Sequence, residues 1–285
     1  MRVYNDFDLT VYNSYRLKAV CRVAYFPESD DDIRTLFKGG ENKRIVLGSG
    51  HNIILSKDHY NDEFVIFSGN YDKVDVYDKN YIIAEAGASM LTLSEVALEN
   101  NLAGLEIFFD IPSSLGGAVV MNAGASGEDI KGLLQSVKYY DPFEDEFKEI
   151  STEDIKFEYR NSFFQKNPAM IVCRAILKLA EADHEVIGAK MQAIKDARWA
   201  KQPRDYPNAG SVFKRPPGRF VGPMIDELGL KGYTIGGAKV SEKHSGFVIN
   251  FNNASGSDIL QLIANVKEKV FEKFEVDLEV EQRII

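Results

Sequence analysis

The stretch Arg44-Ile45-Val46-Leu47-Gly48-Ser49-Gly50-His51-Asn52-Ile53-Ile54-Leu55 decides the fold class. An apolar, β-branched run leads into two closely spaced glycines, and a second such run leaves them. Glycine lets the backbone turn tightly and approach a phosphate with no Cβ in the way. In a Rossmann dinucleotide unit a helix follows the glycines and sets its N-terminus on the pyrophosphate. Here Ile53-Ile54-Leu55 follows, so the Rossmann reading fails. A strand–loop–strand phosphate cradle and a plain hairpin both remain.

A second segment strengthens the cradle. Ile111-Pro112-Ser113-Ser114-Leu115-Gly116-Gly117-Ala118-Val119-Val120-Met121-Asn122-Ala123-Gly124-Ala125 carries no charge and is rich in small residues. Small side chains let backbone amides close around a flat ligand, although a tight helix–sheet contact has the same composition. Two such loops in one region favour a nucleotide or flavin over packing alone.

Outward from these loops, the first half of the chain reads as strands at Arg44–Leu47, Phe64–Ser68, Lys73–Asp78, Tyr81–Ala86, Gln135–Asp141, Glu146–Ile150 and Ile171–Leu179. Ser29-Asp30-Asp31-Asp32 ahead of Ile33, Leu36 and Phe37 predicts a capped helix ending at Gly39-Gly40, and Thr92–Asn100 a second helix. After Ala180 the pattern changes. A helix is expected over His184–Ala200, then a Pro/Gly-rich stretch from Pro203 to Gly218. A long helix from about Ser257 presents Ile259, Ile263, Val266, Val270 and Phe274 at helical spacing. A boundary falls near residue 180.

Composition narrows the function. The 285 residues are 45% hydrophobic and 27% charged, the balance of an ordinary globular protein. The net charge of −9 argues against nucleic acid as the main partner, because a phosphate-backbone binder carries a basic excess. Lys195–Lys243 nonetheless holds 10 basic and 5 acidic residues. Such an island suits a small anionic ligand, or is a solvated helix face and loop. Cys21 and Cys173 cannot make a disulfide framework or a cysteine-rich zinc site, and the four histidines lack metal or triad spacing. No basic-then-apolar leader opens the sequence, and no uncharged run reaches the roughly 20 residues that span a bilayer. A cytoplasmic protein with no membrane association and no obligate protein partner is expected.

Three groups are candidates for chemistry. Arg160, in Phe157-Glu158-Tyr159-Arg160-Asn161-Ser162, can grip a carboxylate with two parallel hydrogen bonds, or is a surface arginine. Ser211 follows a flexible glycine in Asn208-Ala209-Gly210-Ser211-Val212-Phe213-Lys214, without the Gly-x-Ser-x-Gly elbow of a hydrolase. Glu279 and Glu281, if extended, share a face and suit acid–base work or a salt-bridged strand edge.

The order of these constellations resembles the UDP-N-acetylenolpyruvoylglucosamine reductase family, the flavoenzymes of peptidoglycan synthesis. The resemblance runs from about Asn13-Ser14-Tyr15-Arg16 to the end. It is strongest in Asn208–Phe213, Gly229-Leu230-Lys231-Gly232, Ile235-Gly236-Gly237-Ala238 and Val240-Ser241-Glu242-Lys243-His244-Ser245-Gly246-Phe247. It implies an α+β protein, with a two-lobed FAD-binding domain of the vanillyl-alcohol-oxidase (PCMH) type and an α/β substrate-binding domain. The lobes are expected over 1–78 and 79–180, and the substrate domain over 181–285. It implies FAD as cofactor, NADPH as electron donor and a small UDP-sugar as substrate.

Residue by residue, the resemblance makes Arg160, Ser211 and Glu281 catalytic, with Ser211 the proton donor. Glu281 is preferred to Glu279 because the family's aliphatic-rich end lies three residues on, as Ile284 does here. Flavin contacts are implied for Gly48, Ser49, Gly50, His51, Asn52, Ile111, Pro112, Ser113, Ser114, Gly116, Gly117, Asn122, Ala123 and Gly124, and substrate contacts for Lys214 and Tyr159. The chain departs from the family pattern at Lys18-Ala19, where paired glycines are usual, and at Asp110 and Ser113, where glycine is usual. These departures leave two alternatives open, a paralogous flavoenzyme for another nucleotide sugar and a non-catalytic flavin- or nucleotide-sugar-binding protein.

Overall fold

The computed structural model describes residues 1–40 and 44–285. Its chain forms two compact units, one of Met1–Tyr4, Val23–Ser49 and Asp62–Ala197, the other of Asn5–Arg22, Gly50–Asn61 and Arg198–Ile285. A four-stranded sheet in the order Arg2–Asp8, Val20–Phe26, His59–Ile66, Ile45–Leu47 carries the chain between them, within its first three strands.

The first unit is built on an antiparallel sheet in the order Glu146–Ser151, Leu134–Asp141, Ile171–Lys178, Tyr81–Glu85, Val74–Tyr77. Alternation fixes its register. Val137 pairs with Ala175, and Ala175 with Ala84, all fully or almost fully buried. The acidic run forms the expected helix, Asp30–Phe37. Ser29 Oγ accepts the Asp32 backbone N–H at 3.2 Å, three aspartates sit at the positive end of the dipole, and Ile33, Leu36 and Phe37 are buried. Asp30 then reaches a strand neighbour: Lys138 Nζ lies 2.5 Å from its carboxylate, and the Tyr71 hydroxyl donates to it as well.

One segment differs from its sequence reading. The uncharged run Ile111–Ala125 reads as a loop, but its centre is a helix, Leu115–Met121. Ser114 caps it, its Oγ accepting the Gly117 N–H at 3.3 Å, and Asn122 ends it in the left-handed conformation. Its glycines serve packing as well as any ligand. A Cβ on Gly116 would stand 2.9 Å from Ala86 Cβ.

In the second unit a three-stranded antiparallel sheet, Thr234–Ile235, Ala238–Val240 and Val248–Asn250, packs against the long helix Gly256–Phe274. Ser255 and Asp258 form a full capping box at its start. The Asp258 carboxylate also accepts the Gly237 N–H at 3.1 Å, tying the helix to the sheet's hairpin. Ile259, Ile263, Val266 and Val270 form the predicted buried stripe. Among the described residues no helix is long and apolar enough to cross a membrane.

Two measurements test this account. Ile82 is fully buried in Tyr81–Glu85, and Ile82→Ala should cost about 2–5 kcal/mol, read from urea unfolding midpoints. Burial opposes the charge of Asp30, but hydrogen bonds from Lys138 and Tyr71, with the lysine's charge, hold its carboxyl below the ordinary range. A depressed folded value means that the unfolded chain binds the extra proton. The stabilisation is therefore present above the unfolded value of about 4 and is lost as pH falls through the folded value. Asp30→Asn should flatten the acid limb of a stability–pH curve relative to the parent; an unchanged limb would show that Asp30 contributes nothing there.

Candidate functional site

Two helix starts meet in the first unit. Ser89 Oγ accepts the Thr92 N–H at 2.9 Å and caps Met90–Glu99, beside the Ser114 cap of Leu115–Met121. Backbone bonds stitch the two approaches together: Met90 N–H to Ser113 O at 2.9 Å, Leu115 N–H to Ala88 O at 2.8 Å, and Gly116 N–H to Ala86 O at 2.8 Å. These segments form one wall of a cleft of about 160 Å³, lined also by Ser49, Ser68 and Gly87. Its lining is hydroxyl and glycine, with Asp72 the one ionisable side chain. Glycine is required at 87, where a Cβ would stand 2.0 Å from Asn70 O.

Ser113 Oγ is buried and has no hydrogen-bond partner among the described residues. An orphaned hydroxyl in a protein interior is costly, and one that lines a cleft is satisfied when a polar ligand fills it. The Gly48 loop lies against the same cap, since a Cβ on Gly48 would stand 2.2 Å from Ser114 Oγ. A phosphate-bearing cofactor therefore fits these residues.

Arg160 belongs to the same unit and is held hard. Glu158 and Asn161 pair across a tight turn, which puts Arg160 at φ +53. Nη2 donates to Gly124 O at 2.8 Å and Nη1 to Asn122 O at 3.3 Å, while the guanidinium carbon lies 5.2 Å from the Tyr159 ring centroid. Asn122 Nδ2 in turn donates to Glu158 O at 3.1 Å and to Asp129 Oδ2 at 3.0 Å. The Asn122 side chain is thus committed to the arginine's turn. Gly124 opens a hairpin around Ser126 and Gly127, and a Cβ there would stand 2.2 Å from Glu128 O.

Ser211, Lys214 and Glu281 lie in the second unit, on neighbouring extended segments. Phe213 pairs with Val280, the Lys214 N–H donates to Glu279 O at 2.9 Å, and the Glu281 N–H donates to Val212 O at 2.8 Å. Glu281 therefore runs beside the residue that follows Ser211. Lys214 Nζ forms a 2.6 Å ion pair with the exposed Glu279. Gly50 and Asn52 belong here too. Ser14 N–H donates to Gly50 O at 3.0 Å, and Asn52 Nδ2 donates to Glu281 O at 3.3 Å.

Comparison with known proteins gives the family. Residues 202–285 match the model of the UDP-N-acetylenolpyruvoylglucosamine reductase C-terminal domain, and residues 22–142 match the model of an FAD binding domain. A UDP-N-acetylenolpyruvoylglucosamine reductase of Caldanaerobacter subterraneus subsp. tengcongensis is 39% identical, over 100% of this chain and 94% of its own length. The chain belongs to the UDP-N-acetylenolpyruvoylglucosamine reductase family. A relative of that name from Latilactobacillus sakei is 40% identical over 91% of this chain and 85% of its own. The crystal structure of the Thermus caldophilus reductase superposes with a TM-score of 0.85 at 30% identity, covering 100% of this chain and 99% of that one. The fold class is accordingly α+β, an FAD-binding domain with an α/β substrate-binding domain, and FAD is the cofactor.

Sequence reasoning passed over Ser68 and Ser89, whose place in the cleft depends on folding, although Ser89-x-x-Thr92 ahead of a helix is a readable cap. It also passed over Gln282, which lies in no motif. For the cleft, Ser113→Ala should weaken FAD binding about 5–30-fold, the worth of one hydrogen bond, in a flavin-fluorescence titration. Unchanged affinity would place the hydroxyl outside the cofactor's reach.

Proposed function

We propose that this family member catalyses reduction of the enolpyruvyl ether of UDP-N-acetylglucosamine to UDP-N-acetylmuramate, with NADPH as electron donor. The observation that carries the reading is the backbone pairing of Ser211's segment with that of Glu281 within one unit. In this reading residues 1–78 and 79–180 are the FAD lobes and 181–285 the substrate domain. The enzyme works in the cytoplasm without an obligate protein partner.

FAD, when bound, takes electrons from NADPH and supplies the hydride that adds to the terminal carbon of the double bond. Addition there pushes negative charge into an enolate conjugated with the substrate carboxylate. The Arg160 guanidinium, held in place by the carbonyls of Asn122 and Gly124, is the permanently charged group assigned to meet that charge. Glu281 is the second group assigned to stabilising that charge. Ser211 then protonates the adjacent carbon. Lys214 and Tyr159 contact the substrate, Tyr159 from beside the arginine. The flavin-binding role goes to Gly48–Asn52, Ile111–Ser114, Gly116, Gly117 and Asn122–Gly124, of which Ser49, Ser113 and Ser114 line the cleft.

An anaerobic titration in two steps tests this. NADPH should bleach the visible flavin band, and the enol ether should restore it. Ser211→Ala should bleach normally yet recover at least about 10²-fold more slowly. Arg160→Met should slow recovery about 10²–10³-fold, as for loss of one stabiliser of developing charge. Normal recovery in Ser211→Ala would remove the proton-donor role; bleaching without recovery in the parent would discard this substrate.

A further inference from the structure

Gln282 follows Glu281 in the chain and is only 3% exposed. Its carboxamide faces two ways. Nε2 donates towards three successive carbonyls, Ala209 at 3.1 Å, Gly210 at 3.3 Å and Ser211 at 3.4 Å. Oε1 accepts the Tyr15 hydroxyl at 2.9 Å. The partners dictate this orientation. Carbonyls only accept, so the amide nitrogen must face them. Burial pushes the Tyr15 phenol's pKa up, so it stays protonated and donates to the oxygen. Tyr15 is itself fully buried, and its carbonyl accepts Asn250 Nδ2 at 2.8 Å.

The three carbonyls belong to the turn that carries Ser211. Gly210 is left-handed at φ +78, and its N–H donates to Asn208 Oδ1 at 3.1 Å. Ser211 itself is exposed. An exposed serine after a left-handed glycine has no packing of its own to set its hydroxyl. Asn208 ties one end of the turn, and Gln282 pins its carbonyls from the buried side.

We propose that Gln282, oriented by Tyr15, is a positioning residue for the proton transfer assigned to Ser211. This rests on the reading of Ser211 as proton donor. One short segment then sets both reacting side chains: Glu281 directly, and Ser211 through the neighbouring amide. Ser211 is also bridged to Phe247 through the backbone, so replacing that amide with an apolar side chain leaves the turn's carbonyls without their donor and lets the Ala209–Ser211 side of the turn shift by a fraction of its length rather than unfold. A displacement of about 1 Å in a reacting group can cost about 10²-fold in rate.

Rapid mixing of the FAD-loaded protein tests the proposal. Gln282→Leu keeps most of the volume and removes the amide. Bleaching by NADPH should stay within about twofold of the parent, while recovery on adding the enol ether should slow about 10–10²-fold. The solvent deuterium isotope effect on recovery should rise, because proton transfer limits that step more strongly. Tyr15→Phe removes only the hydroxyl and should show the same pattern more weakly; it keeps the test open if Gln282→Leu does not fold. Equal slowing of both half-reactions, or slower recovery with no rise in the isotope effect, would mean that the amide serves packing alone and overturn the proposal. Ser211→Ala runs in parallel. If it recovers normally, the proton-donor reading fails and this inference with it. If it blocks recovery while both other variants leave recovery untouched, only this inference falls.

Discussion

Backbone pairing at the end of the chain is the constraint on which the second unit's chemistry depends. Over Glu279–Ile285 the chain alternates its partners. Glu279 O and Glu281 N–H bond to Lys214 and Val212, then Arg283 and Ile285 N–H bond to Asn52 and Ile54 oxygens. Segments more than 200 residues apart are thereby fixed to one another. Each bond alone contributes about 1 kcal/mol net. Together they define register, and register determines which side chain faces which neighbour. A slip of one residue would exchange Glu281 for Val280 or Gln282 beside the serine turn.

The first unit reaches comparable order by local means. Its cleft is made where two capped helices begin, and each cap is a serine one residue ahead of its helix. Ser89 and Ser114 face each other as an isolated antiparallel bridge, so the two helix starts are a single backbone construction. Arg160 is anchored just beyond the other end of Leu115–Met121, on the carbonyls of Asn122 and Gly124. One short helix thus relates the cleft to the guanidinium. Its small residues permit this, because Gly116 packs on Ala86 at a distance that excludes any side chain.

Much of this was legible in the sequence, for identifiable reasons. Asp30–Phe37 and Gly256–Phe274 announce themselves by caps and stripes, and the sheet strands by β-branched runs. The helix Leu115–Met121 was hidden because Gly116 and Gly117 are poor helix formers, and composition alone could not tell a loop from a tightly packed helix. The allocation of residues 5–22 and 50–61 to the unit holding the C-terminal segment left no local trace, since long-range backbone pairing has no residue signature. The roles assigned to Arg160, Ser211 and Glu281 rest on family resemblance; their spacing carries no motif. Gln282 shows the limit most clearly. A glutamine in a short polar run such as Glu279–Arg283 is ordinary until the fold wraps three carbonyls around its amide.

The departures from the family's glycine pattern have a physical reading in this chain. Glycine is obligatory only where φ is left-handed or a Cβ would collide. None of Lys18, Ala19, Asp110 or Ser113 is among the residues with positive φ. In the N-terminal segment the left-handed position is taken by Arg16, at φ +56, while Ala19 is buried and its carbonyl accepts the Leu9 N–H at 2.8 Å. These positions therefore do not need glycine's conformational freedom. At Ser113 the exchange adds something glycine lacks, a hydroxyl buried in the cleft with its hydrogen-bonding capacity unspent. A substitution that reads in sequence as the loss of a flexible residue becomes, in the fold, an additional polar group facing the cleft.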